Sequence, residues 1–270
     1  MSEAQARIRR RWRRWTADED REGCRLRKQG ISLAEIARRL DRHPDIVKRR
    51  NRDVWKLPTE PTVWIDEEFF DVWNPTMAYV LGFILADGCL KRDGKWVSIT
   101  QMEKPILEDI ARAMQHRGRI YQEKRGAYRL EFRSKRAWKR LSELGLVPAK
   151  SKVAILPPAP RECLPHLVRG YFDGNGAVCV REGGKKPLLS VSIATGSSSL
   201  KAQLDRLLQS ELGIVCSFSE YELRIQGHRQ AKRFLFWLYA NTDRSLYLKR
   251  KYVRFASTLD RRIAWVRRSA

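Results

Sequence analysis

Two polar side chains with oxygen atoms stand 88 residues apart at matching places in the chain. Asp87 and Asn175 each end an apolar segment that has a glycine near its middle, Gly82 in the first and Gly170 in the second. Glycine inside a helix costs about 1 kcal/mol relative to alanine and is usually kept where another backbone must approach closely. We therefore predict that the segments are helices that pack on each other, which places Asp87 beside Asn175.

Adjoining helix ends of this kind would attract a hard cation. A helix C-terminus is electronegative, so a carboxylate placed there is strained unless a cation joins it. Mg²⁺ suits this place because it prefers oxygen ligands and binds through one or two carboxylates together with substrate phosphates. The residues therefore predict a site for Mg²⁺, or for Mn²⁺, at Asp87 and Asn175.

The surrounding residues resemble the LAGLIDADG motif, which is written L-A-G-L-I-D-A-D-G. Val80–Gly88 fill its nine positions in the first segment, and Val168–Gly176 fill them in the second. The resemblance covers about residues 75–255 and is to homing endonucleases that carry two motifs in one chain. It implies an α+β fold of two pseudo-symmetric αββαββα repeats. It also implies a monomeric enzyme that cleaves double-stranded DNA site-specifically with divalent metal, as in intron homing.

In this family, the acidic residue at the eighth motif position holds metal near the scissile phosphates. Asp87 has that position in the first motif, whereas the second motif has Asn175, whose amide oxygen can ligate a hard cation but brings no charge. Asp173 stands at the sixth position, which is not the catalytic one, and belongs to a turn-forming sequence. The departure at Asn175 leaves four alternatives open: a nickase, a slow double-strand cutter, a protein that only binds, or a variant altered to keep DNA intact.

The resemblance also implies a lysine after the strands of each repeat, placed to act on the attacking water or on the developing charge. Lys150 and Lys251 are the candidates, and Lys152 and Lys249 are close rivals. Because the chain contains 55 lysine and arginine residues, contact with a phosphate or with solvent is an alternative for each of them.

Composition restricts the partner and the compartment. A formal net charge of +24 over 270 residues indicates a polyanion, most simply nucleic acid. The five cysteines form no Cys-x-x-Cys pair, which favours a reducing intracellular compartment. We expect the cytoplasm or nucleoid of a prokaryote or of a phage-infected cell, with an organelle as the alternative. No apolar run reaches about 18 residues, so we expect no membrane span.

Residues 1–57 are predicted to form a helix-turn-helix DNA-binding domain with a basic N-terminal arm. Two capping boxes, Thr16–Glu19 and Ser32–Glu35, begin the first two helices. The third helix, from about Asp45, is basic and would enter the major groove. Residues 15–50 resemble Myb-like domains, and a generic three-helix bundle is the alternative. The candidate DNA-binding residues here are Lys48, Arg49, Arg50 and Arg52.

Prolines mark the remaining boundaries. A linker is predicted over residues 58–74, the first repeat over 75–160, and the second repeat, with a basic C-terminal helix, over 161–270. Alternation of polar and apolar residues predicts the strands. They lie near Trp96–Gln101, Arg119–Lys124, Ala127–Arg133, Ala177–Arg181, Leu188–Thr195, Ile214–Ser219 and Glu222–Gln226.

The polar faces of these strands carry candidates for contacts to DNA bases. Arg129 and Arg133 share one face of a strand, and Arg224 and Gln226 share one face of another. Arginine and glutamine can make bidentate contacts to guanine and adenine. A solvated face, which antiparallel sheets often have, is the alternative. The expected partner is double-stranded DNA with a long, partly asymmetric target site.

Two kinds of function fit this sequence. The first is a Mg²⁺-dependent DNA endonuclease, and the second is a non-cleaving DNA-binding transcription regulator or an intron-RNA maturase on the same scaffold. Position 175 is the feature that discriminates between them. No intein splice residues frame the ends, which favours a free-standing or intron-borne gene.

Overall fold

The structure is a computed structural model that describes residues 13–29, 31–57, 64–181, 188–240 and 246–268. The chain divides into two compact units, Met1–Val63 and Trp64–Ala270. In the described ranges, no helix combines the length and the apolar character that crossing a membrane requires. All five cysteines are free.

The first unit consists of three short helices followed by one π-helical turn. Its elements are α1 (Ala17–Lys28), α2 (Leu33–Arg39), α3 (Pro44–Arg50) and the turn Asn51–Trp55. The predicted capping box at the start of α1 is confirmed. Thr16 accepts a 3.2 Å hydrogen bond from the Glu19 amide, and the Glu19 carboxylate accepts a 3.1 Å bond from the Thr16 amide. The core contains Leu26, Ile36 and Val47, so each helix contributes one apolar face.

The second unit begins with the first repeat. Its elements are α4 (Pro75–Asp87), β1 (Gly88–Leu90), β2 (Trp96–Gln101), α5 (Lys104–Ala113), β3 (Tyr121–Gln122), β4 (Tyr128–Arg133) and α6 (Lys135–Glu143). The strands form an antiparallel sheet in the order β1-β2-β4-β3. β1 was not predicted because three residues are too few to display an alternating pattern.

The second repeat follows the same order. Its elements are α7 (Leu164–Asn175), β5 (Gly176–Arg181), β6 (Leu188–Ala194), α8 (Ser198–Leu212), β7 (Ser217–Phe218), β8 (Glu222–Ile225), α9 (His228–Tyr239) and the additional helix α10 (Lys249–Arg268). Its antiparallel sheet has the order β5-β6-β8-β7, which corresponds strand for strand to the first sheet. The predicted α+β fold of two αββαββα repeats is therefore confirmed.

Part of the predicted linker packs on the first repeat. Ile65 and Phe70 are almost fully buried in the core of the second unit. The Asp66 amide donates a 2.9 Å hydrogen bond to the Met114 carbonyl, and the Arg140 guanidinium donates a 3.2 Å bond to the Phe70 carbonyl. The second unit therefore begins at Trp64, because the apolar residues that follow are needed to close its core.

The two motif helices pack backbone to backbone, as their glycines predict. A Cβ atom added to Gly82 would lie 2.0 Å from the Leu167 carbonyl oxygen, and one added to Gly170 would lie 2.0 Å from the Tyr79 carbonyl oxygen. Any side chain at either position would force the helices apart. The reciprocal contacts bring the C-terminal ends of α4 and α7, each of which leads directly into the first strand of its sheet, to the same place.

Candidate active site at the ends of the motif helices

Asp87 is the last residue of α4 and lies against the end of α7. A Cβ atom added to Gly174 would be 2.3 Å from the Ala86 Cβ atom and 3.1 Å from Oδ2 of Asp87. The same Oδ2 accepts a 2.8 Å hydrogen bond from the Gln101 side chain at the end of β2. Burial raises the pKa of Asp87 to about 6, against the opposing charges of Lys251 and Lys150. The structure thus gathers one carboxylate and two ammonium groups.

Lys150 approaches Asp87 from the connection between the repeats. It begins the 3₁₀ turn Lys150–Lys152, and its ammonium group donates to the carbonyl of Gly88, the residue after Asp87. Burial lowers the pKa of Lys150, and the nearby Cys89 and Asp87 oppose that shift. The chain just after the turn is attached to the second repeat by a 2.6 Å hydrogen bond from Ser197 Oγ to the Ala154 carbonyl.

Lys251 approaches from the first turn of α10. Its ammonium group donates 2.6 Å hydrogen bonds to the carbonyls of Phe172 and Asp173 in the last turn of α7. Those carbonyls lie at the electronegative end of a helix, which favours a cation. Burial lowers the pKa of Lys251 to about 8, while the charges of Asp173 and Asp87 act in the opposite direction.

The rival lysines are placed differently. Lys152 and Lys249 are exposed, whereas Lys251 and Lys150 are the lysines whose charges act on the pKa of Asp87. The structure therefore favours Lys150 and Lys251 as the partners of Asp87.

Asn175 is half-buried at the end of α7 and has a tyrosine beside it. The Tyr171 hydroxyl donates a 3.2 Å hydrogen bond to the Ala194 carbonyl. Burial raises the pKa of Tyr171, hydrogen bonds with Thr195 and Asn175 lower it, and the charge of Asp87 raises it. The Tyr171 hydroxyl therefore lies near both Asn175 and Asp87.

Strand register shows that Thr195 takes the place of Gln101 in the second repeat. Gly88 pairs with Ile99, and Gly176 pairs with Ile193, so Gln101 and Thr195 are each two residues beyond a matching pair. Sequence reasoning missed Gln101, Thr195 and Tyr171. Gln101 and Thr195 share one signal, a fixed distance from the last motif glycine across the sheet, which exists only once the strands are paired. Tyr171 lies on the motif helix itself, at its fourth motif position.

The donor set fits a hard cation that also uses substrate oxygens. Asp87 supplies a carboxylate and Asn175 an amide, and Mg²⁺ commonly binds proteins through one or two such groups while keeping water or phosphate ligands. Among the residues that the structure describes, no group of three or more His, Cys, Asp or Glu side chains could hold a metal ion by itself.

The predicted DNA-contacting residues of the sheets lie in two environments. Arg129 pairs with Glu123 at 2.5 Å, and Arg224 pairs with Glu222 at 2.7 Å. Arg133 is exposed on β4, and Gln226 is exposed one residue beyond the end of β8. The guanidinium groups of Arg129 and Arg224 are therefore each engaged with a carboxylate of the same repeat.

In the first unit, three of the four predicted DNA-binding residues are exposed. These residues are Lys48, Arg49 and Arg52. Arg50 instead donates a 2.8 Å hydrogen bond to the Asp20 carboxylate, which also accepts a 2.8 Å bond from the Trp55 indole. Arg50 therefore attaches α3 to α1, a contact that the basic pattern of α3 did not predict.

The architecture defines a two-repeat α+β protein with paired motif helices, and likeness to known proteins identifies its family. The model of the LAGLIDADG-like domain matches residues 74–145 and 163–258. The chain therefore belongs to the LAGLIDADG family, as its motifs predict.

Solved structures share the fold at low sequence identity. The LAGLIDADG meganuclease I-AabMI bound to uncleaved DNA is 14% identical with a TM-score of 0.50, over 73% of this chain and 92% of that one. The LAGLIDADG meganuclease I-CpaMI bound to uncleaved DNA is 12% identical with a TM-score of 0.50, over 70% of this chain and 92% of that one. No curated protein matches the chain.

Proposed function

We propose that this protein is a divalent-metal-dependent DNA endonuclease of the homing type that cuts its two target strands unequally. The observation that supports the proposal is the half-buried carboxylate of Asp87, which lies where the motif helices meet and whose pKa responds to Lys150 and Lys251. A carboxylate and two cations can hold a metal ion and a phosphate at one point. The partner in this proposal is double-stranded DNA, and the meganucleases I-AabMI and I-CpaMI, which share the fold, are themselves bound to DNA.

Each residue has a separate part in the proposed reaction. Asp87 holds the cation, and Gln101 orients its carboxylate through the 2.8 Å hydrogen bond. A bound Mg²⁺ ion supplies Lewis-acid stabilisation of charge that develops on phosphate oxygens. Lys150 and Lys251 place further positive charge beside that point, and charges fixed before the reaction stabilise a transition state without reorganisation.

Position 175 makes the two halves of the site unequal. Asp87 contributes a full negative charge, whereas Asn175 contributes a neutral amide oxygen at the equivalent helix end. The Coulombic attraction for a second cation is weaker on the Asn175 side. The strand whose cleavage depends on that side is therefore cut more slowly, so nicked DNA accumulates.

The remaining basic residues provide binding. The sheets present Arg129, Arg133, Arg224 and Gln226, and the first unit presents Lys48, Arg49 and Arg52. We propose that the first unit acts as a helix-turn-helix that adds affinity and site length, while the sheets contact the DNA around the cleavage point. Phosphate contacts position the protein, and base contacts specify the sequence.

The test is a cleavage assay on the protein's own site. A target is first selected from a random DNA library and placed in a supercoiled plasmid, which is then incubated with the protein in Mg²⁺ or EDTA. We expect the protein to nick the plasmid in Mg²⁺, and we expect Asn175→Asp to raise the rate of linear product by at least about tenfold, because it restores a charged ligand. Equal and rapid linearisation by both proteins would show that position 175 does not limit cleavage.

Asn175 also supports a second candidate function. Loss of an acidic metal ligand is what a protein retained only for binding would tolerate, so a transcription regulator or an intron-RNA maturase on this scaffold is the alternative. This alternative predicts tight binding that EDTA does not change, and no cutting by either the unaltered protein or Asn175→Asp. Affinity for the selected duplex against a structured RNA would then separate the regulator from the maturase.

A further inference from the structure

The second motif helix carries two ionisable side chains where the first carries leucines. Arg169 and Asp173 stand at the second and sixth motif positions, which Leu81 and Leu85 occupy in the first motif. Both ionisable side chains are fully buried, at 0% exposure. Burying a charge is costly unless hydrogen bonds and opposite charges compensate for it, so the partners of these residues indicate their purpose.

Asp173 collects hydrogen bonds from three different elements. Its carboxylate accepts from the Tyr79 hydroxyl of α4 at 2.9 Å, from the Tyr239 hydroxyl at the end of α9 at 2.8 Å, and from the Leu248 amide just before α10 at 2.7 Å. The last bond is important because Leu248 caps the first turn of α10. Its carbonyl accepts from the amides of Lys251 and Tyr252.

Arg169 lies one helical turn before Asp173 and holds the same region. Its guanidinium donates a 2.8 Å hydrogen bond to the Leu238 carbonyl and a 3.0 Å bond to the Leu246 carbonyl. A third contact of 3.0 Å joins it to Nδ1 of His166. Arg169 therefore attaches the end of α9 and the segment before α10 to the motif helix.

The consequence reaches the candidate active site through Lys251. This residue lies three positions after Leu248, and its ammonium group contacts the carbonyls of Phe172 and Asp173. With residues 246–248 held by Arg169 and Asp173, the first turn of α10 has one position relative to α7. The Lys251 side chain is then directed to the end of the motif helix.

We propose that Arg169 and Asp173 form a buried polar latch that positions Lys251 beside Asp87. Both are positioning residues, since they act through α10 and not on the substrate. The first repeat has leucines at these positions, and Lys150 comes instead from the turn between the repeats, just before Ala154, whose carbonyl Ser197 binds. The catalytic consequence rests on the proposed function, but the latch itself can be tested without cleavage.

The direct test measures how accessible the Lys251 amine is. The full-length protein is acetylated briefly with an N-hydroxysuccinimide ester, and peptide mass spectrometry gives the labelling rate of Lys251 relative to Lys249. Lys251 is 4% exposed, and Lys249, two residues away, is exposed, so Lys249 is an internal control. We expect Asp173→Asn to raise the ratio about tenfold or more, because weakened hydrogen bonds in a buried network shift a local opening equilibrium.

A matched control separates the latch from general loosening. Leu204→Ala removes a fully buried side chain from α8 in the same repeat and should destabilise the fold without exposing Lys251. Tyr239→Phe removes one of the three donors to Asp173 and should raise the labelling ratio by a smaller factor. It also serves as the test variant if Asp173→Asn is insoluble.

The outcomes are distinct. The latch proposal would be wrong if the Lys251-to-Lys249 labelling ratio did not change in the Asp173 or Tyr239 variants. It would also be wrong if the ratio rose equally in Leu204→Ala. If the protein proves inactive on DNA, only the proposed function fails. The labelling result still shows whether Arg169 and Asp173 position Lys251. If it cleaves, Asp173→Asn should slow cleavage at saturating DNA without changing the Kd. When Asp173→Asn is added to Lys251→Met, the double variant should cleave no more slowly than Lys251→Met alone, because the two residues act in one chain of contacts.

Discussion

Gln101 donates a 2.8 Å hydrogen bond to Oδ2 of Asp87 and so joins the end of β2 to the end of α4. The Gln101 amide oxygen in turn accepts a 2.7 Å bond from the Met102 backbone amide. This second contact fixes which end of the side-chain amide faces the carboxylate. The Asp87 carboxylate is thereby oriented before any cation or DNA binds.

Asp87→Asn should abolish metal-dependent strand cleavage and leave DNA binding almost unchanged. The substitution removes the negative charge that would hold a cation, whereas positioning on DNA rests on phosphate and base contacts elsewhere. The measurements are plasmid nicking in Mg²⁺ and a binding titration in EDTA. Full cleavage by the Asn variant would remove Asp87 from the proposed mechanism.

Gln101→Ala should raise the Mg²⁺ concentration needed for half-maximal nicking by about 10- to 100-fold, which is the usual effect of removing a group that orients a metal ligand. The measurement is the nicking rate over a series of Mg²⁺ concentrations at saturating DNA. Gln122→Ala, at an exposed position on β3, is the control and should leave the curve unchanged. Coincident curves for both variants and the parent would contradict the orienting role.

Gly82→Ala should destabilise the second unit by about 2 kcal/mol or more, in the upper range for overpacked cores. The added methyl group would meet the Leu167 carbonyl at 2.0 Å, and a backbone atom within a helix cannot rotate away. The measurement is the urea midpoint. Gln209→Ala, at an exposed position on α8, is the control and should shift stability by less than about 0.5 kcal/mol. Equal midpoints would show that the helices are not in contact at this glycine.

His166 should make the protein less stable in mild acid. Burial and the neighbouring Arg169 lower the pKa of His166 from 6.5 to about 4, and its Nδ1 atom must stay unprotonated to face the Arg169 guanidinium. Above pH 6.5 the imidazole is neutral in both the folded and unfolded states, so it contributes no pH dependence. As the pH falls from 6.5 towards 4, the unfolded chain takes up the proton first, and the free energy of unfolding decreases.

The size of this effect at pH 5 is about 2 kcal/mol, at about 1.4 kcal/mol for each of the roughly 1.5 pH units between 6.5 and 5. The check is the loss of stability between pH 7 and pH 5, measured by urea unfolding. His166→Gln, which keeps an acceptor for Arg169 but does not titrate, should lose about 2 kcal/mol less than the parent protein over that interval. A parallel loss in both proteins would assign the acid sensitivity to other groups.

Removal of residues 1–58 should weaken DNA binding and flatten its salt dependence. The slope of log K against log salt falls by about 0.9 for every phosphate that the protein no longer neutralises, and α3 carries the exposed Lys48 and Arg49. Lys48→Ala with Arg49→Ala in the full chain tests the same surface without a truncation. Unchanged affinity and slope in both proteins would exclude the first unit from the interface.

The sequence by itself determined the repeat, the helix pairing and the acidic residue of the candidate site. These features depend on local patterns, namely an apolar segment with a central glycine, a polar residue at its end, and strands that alternate. Asp87, and Lys150 and Lys251 through the family resemblance, could be named from such patterns. The asymmetry at Asn175 was also visible as a single residue at a known motif position.

Only the tertiary structure decided which side chains surround those residues. Gln101 reaches Asp87 because the register of β1 and β2 places it there. The sequence of neither strand alone specifies that register. Asp173 had the appearance of a turn residue, yet it is fully buried and bound to Tyr79, 94 positions earlier, and to Tyr239, 66 positions later. The basic pattern of α3 likewise gave no indication that Arg50 binds Asp20. In each case the partner is distant in sequence. The partner is selected by the free energy of burying a polar group, and that free energy depends on surroundings that exist only after folding.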